Sequence, residues 1–283
     1  MGGRKSIERA ILSRPALYLV PAAALHPSHR GERLRAAARA ALYVVRTILF
    51  RRPSVVRMGR SSKVIARPGE FNPLHAVIRN PPNTEMAVWR RHLKPGDTFI
   101  DVGANIGLYT IYALECGASV VAIEPDPVNA ERVRENLRAN GADAVVVAKA
   151  LDREPGTVTM TTDLNERNHL LPAGSDGQTV EATTLDDVIG DRTVMVKIDV
   201  EGAEEAVLHG ASRALSERRI TLMQLEWGLD EGMTVEDRAA LLDLLASHDY
   251  RMLENDRDGN LTELGDRAPS GLNIFVMPAE LVP

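Results

Sequence analysis

Cysteine is nearly absent from this chain, with Cys116 alone among 283 residues. One thiol closes no intramolecular disulfide and completes no cysteine-based zinc site, so a reducing compartment, the cytoplasm, is the expected home. Aromatic residues are scarce at 4%, which argues against an aromatic surface for stacking single-stranded RNA, and no nucleic-acid partner is expected. Long apolar runs are missing too. No stretch reaches the roughly 18 uncharged apolar residues needed to span a bilayer, and Arg46 interrupts the best candidate. The uncharged stretch from Pro15 to Leu25 loosely mimics a secretory signal, but Glu8, Arg9 and Arg14 crowd its start and Pro21 sits inside it, so cleavage is not expected.

What is present is ordinary globular composition: 44% hydrophobic and 26% charged residues, which excludes collagen-like, coiled-coil and disordered classes for most of the chain. The formal charge of −5 hides an asymmetry. Residues 1–67 hold fifteen Lys or Arg against only Glu8 and Glu32, a net of +13, leaving 19 bases against 37 acids, or −18, in the remainder. This is a basic arm on an acidic body.

Within the arm, Leu34, Ala38, Ala41, Val45 and Ile48 recur at helical spacing with Arg35, Arg39 and Arg46 between them, predicting an amphipathic basic helix over residues 32–52. Five prolines between 53 and 83 read as a connecting segment with a short strand around Lys63 to Ala66. The expected organisation is therefore an arm and linker over 1–83 and a compact domain over 84–283. Two roles suit the arm. It packs onto the acidic body through Leu34, Val45 and Ile48, with a share in homodimer contacts, or it makes peripheral contact with an anionic membrane.

Beyond Thr84, short β-rich runs alternate with helical stretches. Strands are expected at 98–102, 119–123, 144–148, 194–199 and 220–226, with helices near 107–116, 127–140, 203–216 and 234–247. Two last runs, 250–254 and 272–277, read as a terminal hairpin around the turn-rich Asp258, Gly259 and Asn260. The alternation predicts an α/β fold with a doubly wound, mostly parallel sheet covered on both faces.

Three segments carry chemistry. The first is Asp101-Val102-Gly103-Ala104-Asn105-Ile106-Gly107, which follows a strand and opens a helix. A glycine-rich strand-to-helix turn lets a nucleotide-like ligand approach the backbone and the free N–H groups of the helix start. A dinucleotide fingerprint would need a second glycine where Asn105 stands, which disfavours NAD, while Asn still tolerates a positive φ. The second is Glu124, 21 residues after Gly103 at the tip of the next strand. A carboxylate there accepts both hydroxyls of a ribose. The third is Lys197-Ile198-Asp199-Val200-Glu201-Gly202. A lysine inside an apolar central strand needs an acidic partner, and Asp101 and Asp199 end the strands that flank the switch point of a doubly wound sheet.

Together with Glu124-Pro125, Glu204-Glu205-Ala206-Val207-Leu208 and Asn273-Ile274-Phe275-Val276, these motifs closely resemble the FkbM family of S-adenosylmethionine-dependent O-methyltransferases over roughly residues 84–278. The resemblance implies a Rossmann-like class I methyltransferase sheet of order 3-2-1-4-5-7-6, with S-adenosyl-L-methionine as cofactor. It implies that Asp101, Gly103, Asn105, Gly107, Glu124 and Asp199 hold the methyl donor, with Ala150 and Leu151 near its adenine. The implied acceptor is a hydroxyl of a sugar, glycolipid or polyketide-type product.

Removing the acceptor's proton calls for a general base, for which Asp199, Glu226 and His169 are the candidates. Trp227 has two readings, a platform for a sugar ring or a core residue. No metal is expected, since Lys197 and a cationic cofactor would offset the carboxylates of Asp101, Asp199 and Glu226. Two other functions stay open at this point, an NAD-binding oxidoreductase and a non-catalytic module whose arm engages lipid or nucleic acid.

Overall fold

The computed structural model describes residues 15–26, 31–70, 72–78, 84–161, 170–171, 175–227, 234–265, 267–269 and 271–283. The chain enters through α1 (Pro15–Leu25) and α2 (Arg33–Tyr43), whose last turns widen into a π-helical segment over Val44–Leu49. A hairpin of β1 (Ser54–Arg57) and β2 (Lys63–Ala66) follows, then α3 (Asn72–Ile78) and α4 (Glu85–His92). The central run is β3 (Thr98–Val102), α5 (Leu108–Glu115), β4 (Ser119–Ile123), α6 (Pro127–Asn140) and β5 (Val145–Val147). After it come β6 (Ala150–Leu151), β7 (Gly156–Met160), β8 (Leu170–Leu171), β9 (Gln178–Thr183) and α7 (Leu185–Ile189). The chain ends with β10 (Val194–Ile198), α8 (Glu204–His209), α9 (Ser212–Ser216), β11 (Ile220–Glu226), α10 (Val235–Ser247), β12 (Tyr250–Asn255), β13 (Leu261–Glu263) and β14 (Asn273–Pro278).

The main sheet runs β13-β12-β14-β11-β10-β3-β4-β5. Numbering the seven principal strands along the chain gives 3-2-1-4-5-7-6, the expected order, with β13 added at the far edge. Pairs from β5 to β11 are parallel, and β14, β12 and β13 join antiparallel. Because both faces are covered, the central strands read as continuous apolar runs. Phe99, Val120, Leu222 and Phe275 point into one core. Ile100, Val121, Val196, Met223 and Val276 point into the other.

Local chemistry sets the helix ends. Asp126 accepts from Val128 and Asn129 N–H, Pro127 occupies the first turn, and Gly141 closes α6 in the left-handed region. The helix expected over 203–216 is broken at Gly210, where a Cβ would lie 2.3 Å from the Asp152 carbonyl oxygen. A four-stranded sheet, β6-β9-β7-β8, lies outside anything the spacing predicts.

The basic arm departs from expectation in one respect. Helix α2 is buried through Ala36, Ala40 and Tyr43, continued by Val44 and Thr47. Leu34 and Val45, the residues expected to pack, are 88% and 43% exposed, and Ile48 is only half-buried. Small side chains permit close approach of the backbone, so the alanine face wins the interior. The following hairpin is tied to α6: Asn136 and Asn140 accept from the Ile65 and Lys63 N–H groups, and buried Arg132 bonds Glu70 and the Ile65 carbonyl. Among the described residues, no helix is long and apolar enough to cross a membrane.

Candidate active site

Asp101, Glu124, Asp199 and Glu226 lie at the carboxyl ends of β3, β4, β10 and β11. Register places Asp101 opposite Lys197, and Lys197 opposite Gln224, so the three form one row across adjacent strands. The Lys197 ammonium is buried, 3.0 Å from Asp199 Oδ2 and 3.7 Å from Asp101 Oδ1. It also donates to the Gly103 carbonyl at 3.1 Å and sits 5.2 Å from the Tyr109 ring centre. Burial alone would strip its proton, but Asp199 and Asp101 outweigh that and hold its pKa above the ordinary value. Asp101 is driven the other way: burial raises its pKa despite Lys197 and the 2.6 Å bond from the Thr110 hydroxyl. Its Oδ1 is buried and accepts no hydrogen bond.

The turn after β3 has the predicted backbone. Gly103, Asn105 and Gly107 have φ of 71°, 55° and 85°. Its glycine requirement at position 103 is absolute, since a Cβ would lie 1.9 Å from the Asp199 carbonyl oxygen. At Gly107 a Cβ would press on Val133 at 3.3 Å. Glu124 closes the turn: its carboxylate accepts from Asn105 N–H at 2.7 Å and from Asp126 N–H at 3.0 Å. Burial nonetheless pushes its pKa to about 7. Ala150 and Leu151 are buried in β6, paired with Ala182 and Thr183.

Asp199, Glu201 and Glu226 form a second acidic group, their carboxylate oxygens all within 4.8 Å of one another. Sequence reasoning placed Asp199 and Glu226 here but gave Glu201 no role. Glu201 reaches the cluster through a left-handed backbone, φ 55°. Also missed were Tyr109 and Gln224. Gln224 is buried, accepts from the Trp89 indole at 2.7 Å and donates to Asn273 at 3.0 Å. The signal of Gln224, an uncharged polar residue inside an apolar strand, is too weak without the register, and Tyr109 lies in α5, where only its packing beside Lys197 marks it. Glu204 caps the 199–202 loop by accepting from Val200 and Gly202 N–H, and burial lifts its pKa to about 7. Trp227 follows the core reading: it is buried, with Arg238 lying 4.6 Å from its ring centre. His169 lies outside the described residues.

The profile of the FkbM methyltransferase domain matches residues 101–252, more than half of the chain. Over 139 residues the chain is 27% identical to the hexuronic acid methyltransferase AglP of Haloferax volcanii, covering 47% of this chain and 58% of that one. Over 161 residues it is 31% identical to the 31-O-demethyl-FK506 methyltransferase FkbM of Streptomyces tacrolimicus, covering 43% and 62%. It thus spans less than two thirds of the length of these curated relatives. Among solved structures, methyltransferase FkbM from Methylobacillus flagellatus aligns with a TM-score of 0.44 at 20% identity, over 64% of this chain and 43% of that one. With its Asp-x-Gly-Ala-Asn-x-Gly turn, its Glu124 and its Lys197-Ile198-Asp199 strand end all inside the matched region or at its border, the chain belongs to the FkbM methyltransferase domain family.

Proposed function

We propose that the protein is an S-adenosylmethionine-dependent O-methyltransferase acting on a hydroxyl of a sugar, glycolipid or polyketide-type product. The observation that carries this reading is the convergence of the Gly103 turn, Glu124 and the Asp101–Lys197–Asp199 row at one end of the sheet. The donor set fits the cofactor. It pairs a backbone cradle that a Cβ would fill with buried carboxylates, and Asp101 Oδ1 still lacks a donor. Such acceptors suit a cation that also carries ribose hydroxyls.

In this reading Gly103, Asn105 and Gly107 admit the cofactor to the backbone, Glu124 takes its ribose, Asp101 and Asp199 face its positive end, and Ala150 and Leu151 border its adenine. S-adenosylmethionine supplies an electrophilic methyl group when bound. The chain's part is alignment and proton removal. Lys197 fixes the Asp199 carboxylate through its 3.0 Å contact. The carboxylates of Asp199, Glu201 and Glu226 lie within 4.8 Å of one another, so a hydroxyl placed against them has a carboxylate within reach of its proton, and Glu226 is the base we favour among the described residues. The sugar and polyketide alternatives take their support from what AglP and the Streptomyces enzyme are named for.

Calorimetry with S-adenosylmethionine, S-adenosylhomocysteine and NAD tests the cofactor, binding of the first two and not the third being expected. A mass search for products heavier by one methyl group, in extracts with and without the enzyme, tests the acceptor class.

A further inference from the structure

Helix α2 and its π-helical continuation carry two apolar faces. One is buried, as described. On the other, Leu34, Leu42, Val45 and Leu49 are 88%, 64%, 43% and 66% exposed, and Phe50 beyond them is 69% exposed. Within α2 a separation of 8 residues keeps Leu34 and Leu42 on one side of the helix, and Val45, Leu49 and Phe50 continue the exposed apolar surface through and beyond the π-helical turns. Arg35 and Arg39 border Leu34 and Leu42 along α2, Arg46 is exposed in the π-helical turns, and Arg51 and Arg52 follow their end. Arg46 donates to the Pro53 carbonyl at 2.9 Å and Arg35 lies 3.7 Å from Glu32. Residues 31–57 hold seven arginines against that single acid.

We propose that this face docks on an anionic phospholipid bilayer, α2 lying in the interface plane with its leucines down. An apolar stripe with a basic border is what such a surface accommodates: the side chains enter the acyl boundary while guanidinium groups reach the phosphates. A second copy of the chain fits less well, because an isologous contact across the stripe brings one arginine border against the other. Nucleic acid would leave the leucines in water. Packing of the opposite face against the body holds α2 folded beforehand, so docking need not order it. The proposal stands apart from the methyl-transfer reading and fails or survives separately.

The test is co-sedimentation of the full chain with vesicles of phosphatidylcholine alone and of phosphatidylcholine mixed with phosphatidylglycerol, at low and high salt. We expect at least about ten-fold stronger partition onto the mixed vesicles at low salt, largely lost at high salt. Leu42→Ser with Leu49→Ser weakens it about ten-fold or more, since each removes a side chain from the acyl boundary. Arg35→Glu with Arg39→Glu abolishes the anionic preference. Both double variants keep the wild-type melting temperature, because the altered positions are exposed. Absence of binding to either vesicle overturns the proposal, as does equal partition of wild type and variants. A dimer in size-exclusion chromatography that Leu42→Ser dissociates, without vesicle binding, assigns the face to a second copy instead.

Discussion

The carbonyl oxygen of Asp199 occupies the space in which a side chain at Gly103 would begin, 1.9 Å from an ideal Cβ. Two loops that are almost a hundred residues apart in sequence are thereby locked together, and the lysine between their strands bonds both: Lys197 donates to Gly103 and pairs with Asp199. Gly103→Ala must push the loops apart and also hold alanine at a φ of 71°. We expect a loss on the order of 3 kcal/mol in denaturant unfolding, together with at least ten-fold weaker binding of S-adenosylhomocysteine by calorimetry.

Glu124 gives the site a pH dependence. Its pKa of about 7 in the free protein exceeds that of the unfolded chain, so the folded state binds the extra proton between the ordinary carboxylate range and neutrality. Stability is therefore full below that range and falls as pH rises through about 7, by on the order of 1–3 kcal/mol. Glu124→Gln removes that part of the fall, and Glu204→Gln, at a carboxyl also near 7, removes a separate part. Ligand binding runs the opposite way. If the ionised carboxylate accepts the ribose hydroxyls, affinity for S-adenosylhomocysteine climbs with pH to a plateau above about 7, and calorimetry in buffers of different ionisation enthalpy reports proton release. Glu124→Ala should bind about ten-fold or more weakly, with a flat profile.

Lys197→Met leaves Asp101 and Asp199 without their shared cation, and Asp101 is fully buried. Removing one partner of a buried ion pair costs about 3–5 kcal/mol. Adding Asp101→Asn to that variant should restore part of the loss, whereas strict additivity of the two changes in urea unfolding would deny that the groups are coupled.

Turnover should survive dialysis against a chelator, since Lys197 already supplies positive charge beside Asp199. Activity that disappears and returns with magnesium would instead give the Asp199, Glu201 and Glu226 group to a divalent ion.

Glu115 joins the N-terminal hairpin to the sheet's helical layer. Its carboxylate accepts from the N–H groups of Arg60, Ser61 and Ser62, at 2.9, 2.8 and 2.7 Å, and from Arg90 at 2.6 Å. Burial opposes its ionisation, but these backbone donors and Arg90 prevail and hold its pKa far below the usual carboxylate range. The stabilisation is present above that range and is lost as pH falls through the depressed value. Glu115→Ala should cost roughly 2–4 kcal/mol and open the 58–62 turn to limited proteolysis at neutral pH.

The residues 98–102, 119–123 and 220–226 are strands in the structure as the sequence alone requires, because each is an apolar run bounded by a turn or by proline, and a parallel strand covered on both faces tolerates little else. The helix over 127–140 and the left-handed Asn105 were legible for the same local reasons: a capping Asp126, a closing Gly141, and a side chain that accepts positive φ. Asp101, Glu124, Lys197 and Asp199 could be placed at one end of the sheet from strand order. Glu201, Tyr109 and Gln224 could not, because Gln224 depends on register across strands, Tyr109 on the packing of α5 against Lys197, and Glu201 on a left-handed backbone at its own position. The strand expected around Lys63 to Ala66 is β2, but its partner β1 and the small sheet were not legible, and the hairpin's anchors are remote in sequence, as with Lys63 and Asn140. Which face of α2 goes inside was a tertiary decision as well. Both faces are apolar, and only the surface waiting for it, which admits alanines at close range, selects Ala36 and Ala40 and leaves Leu34 and Leu42 in solvent.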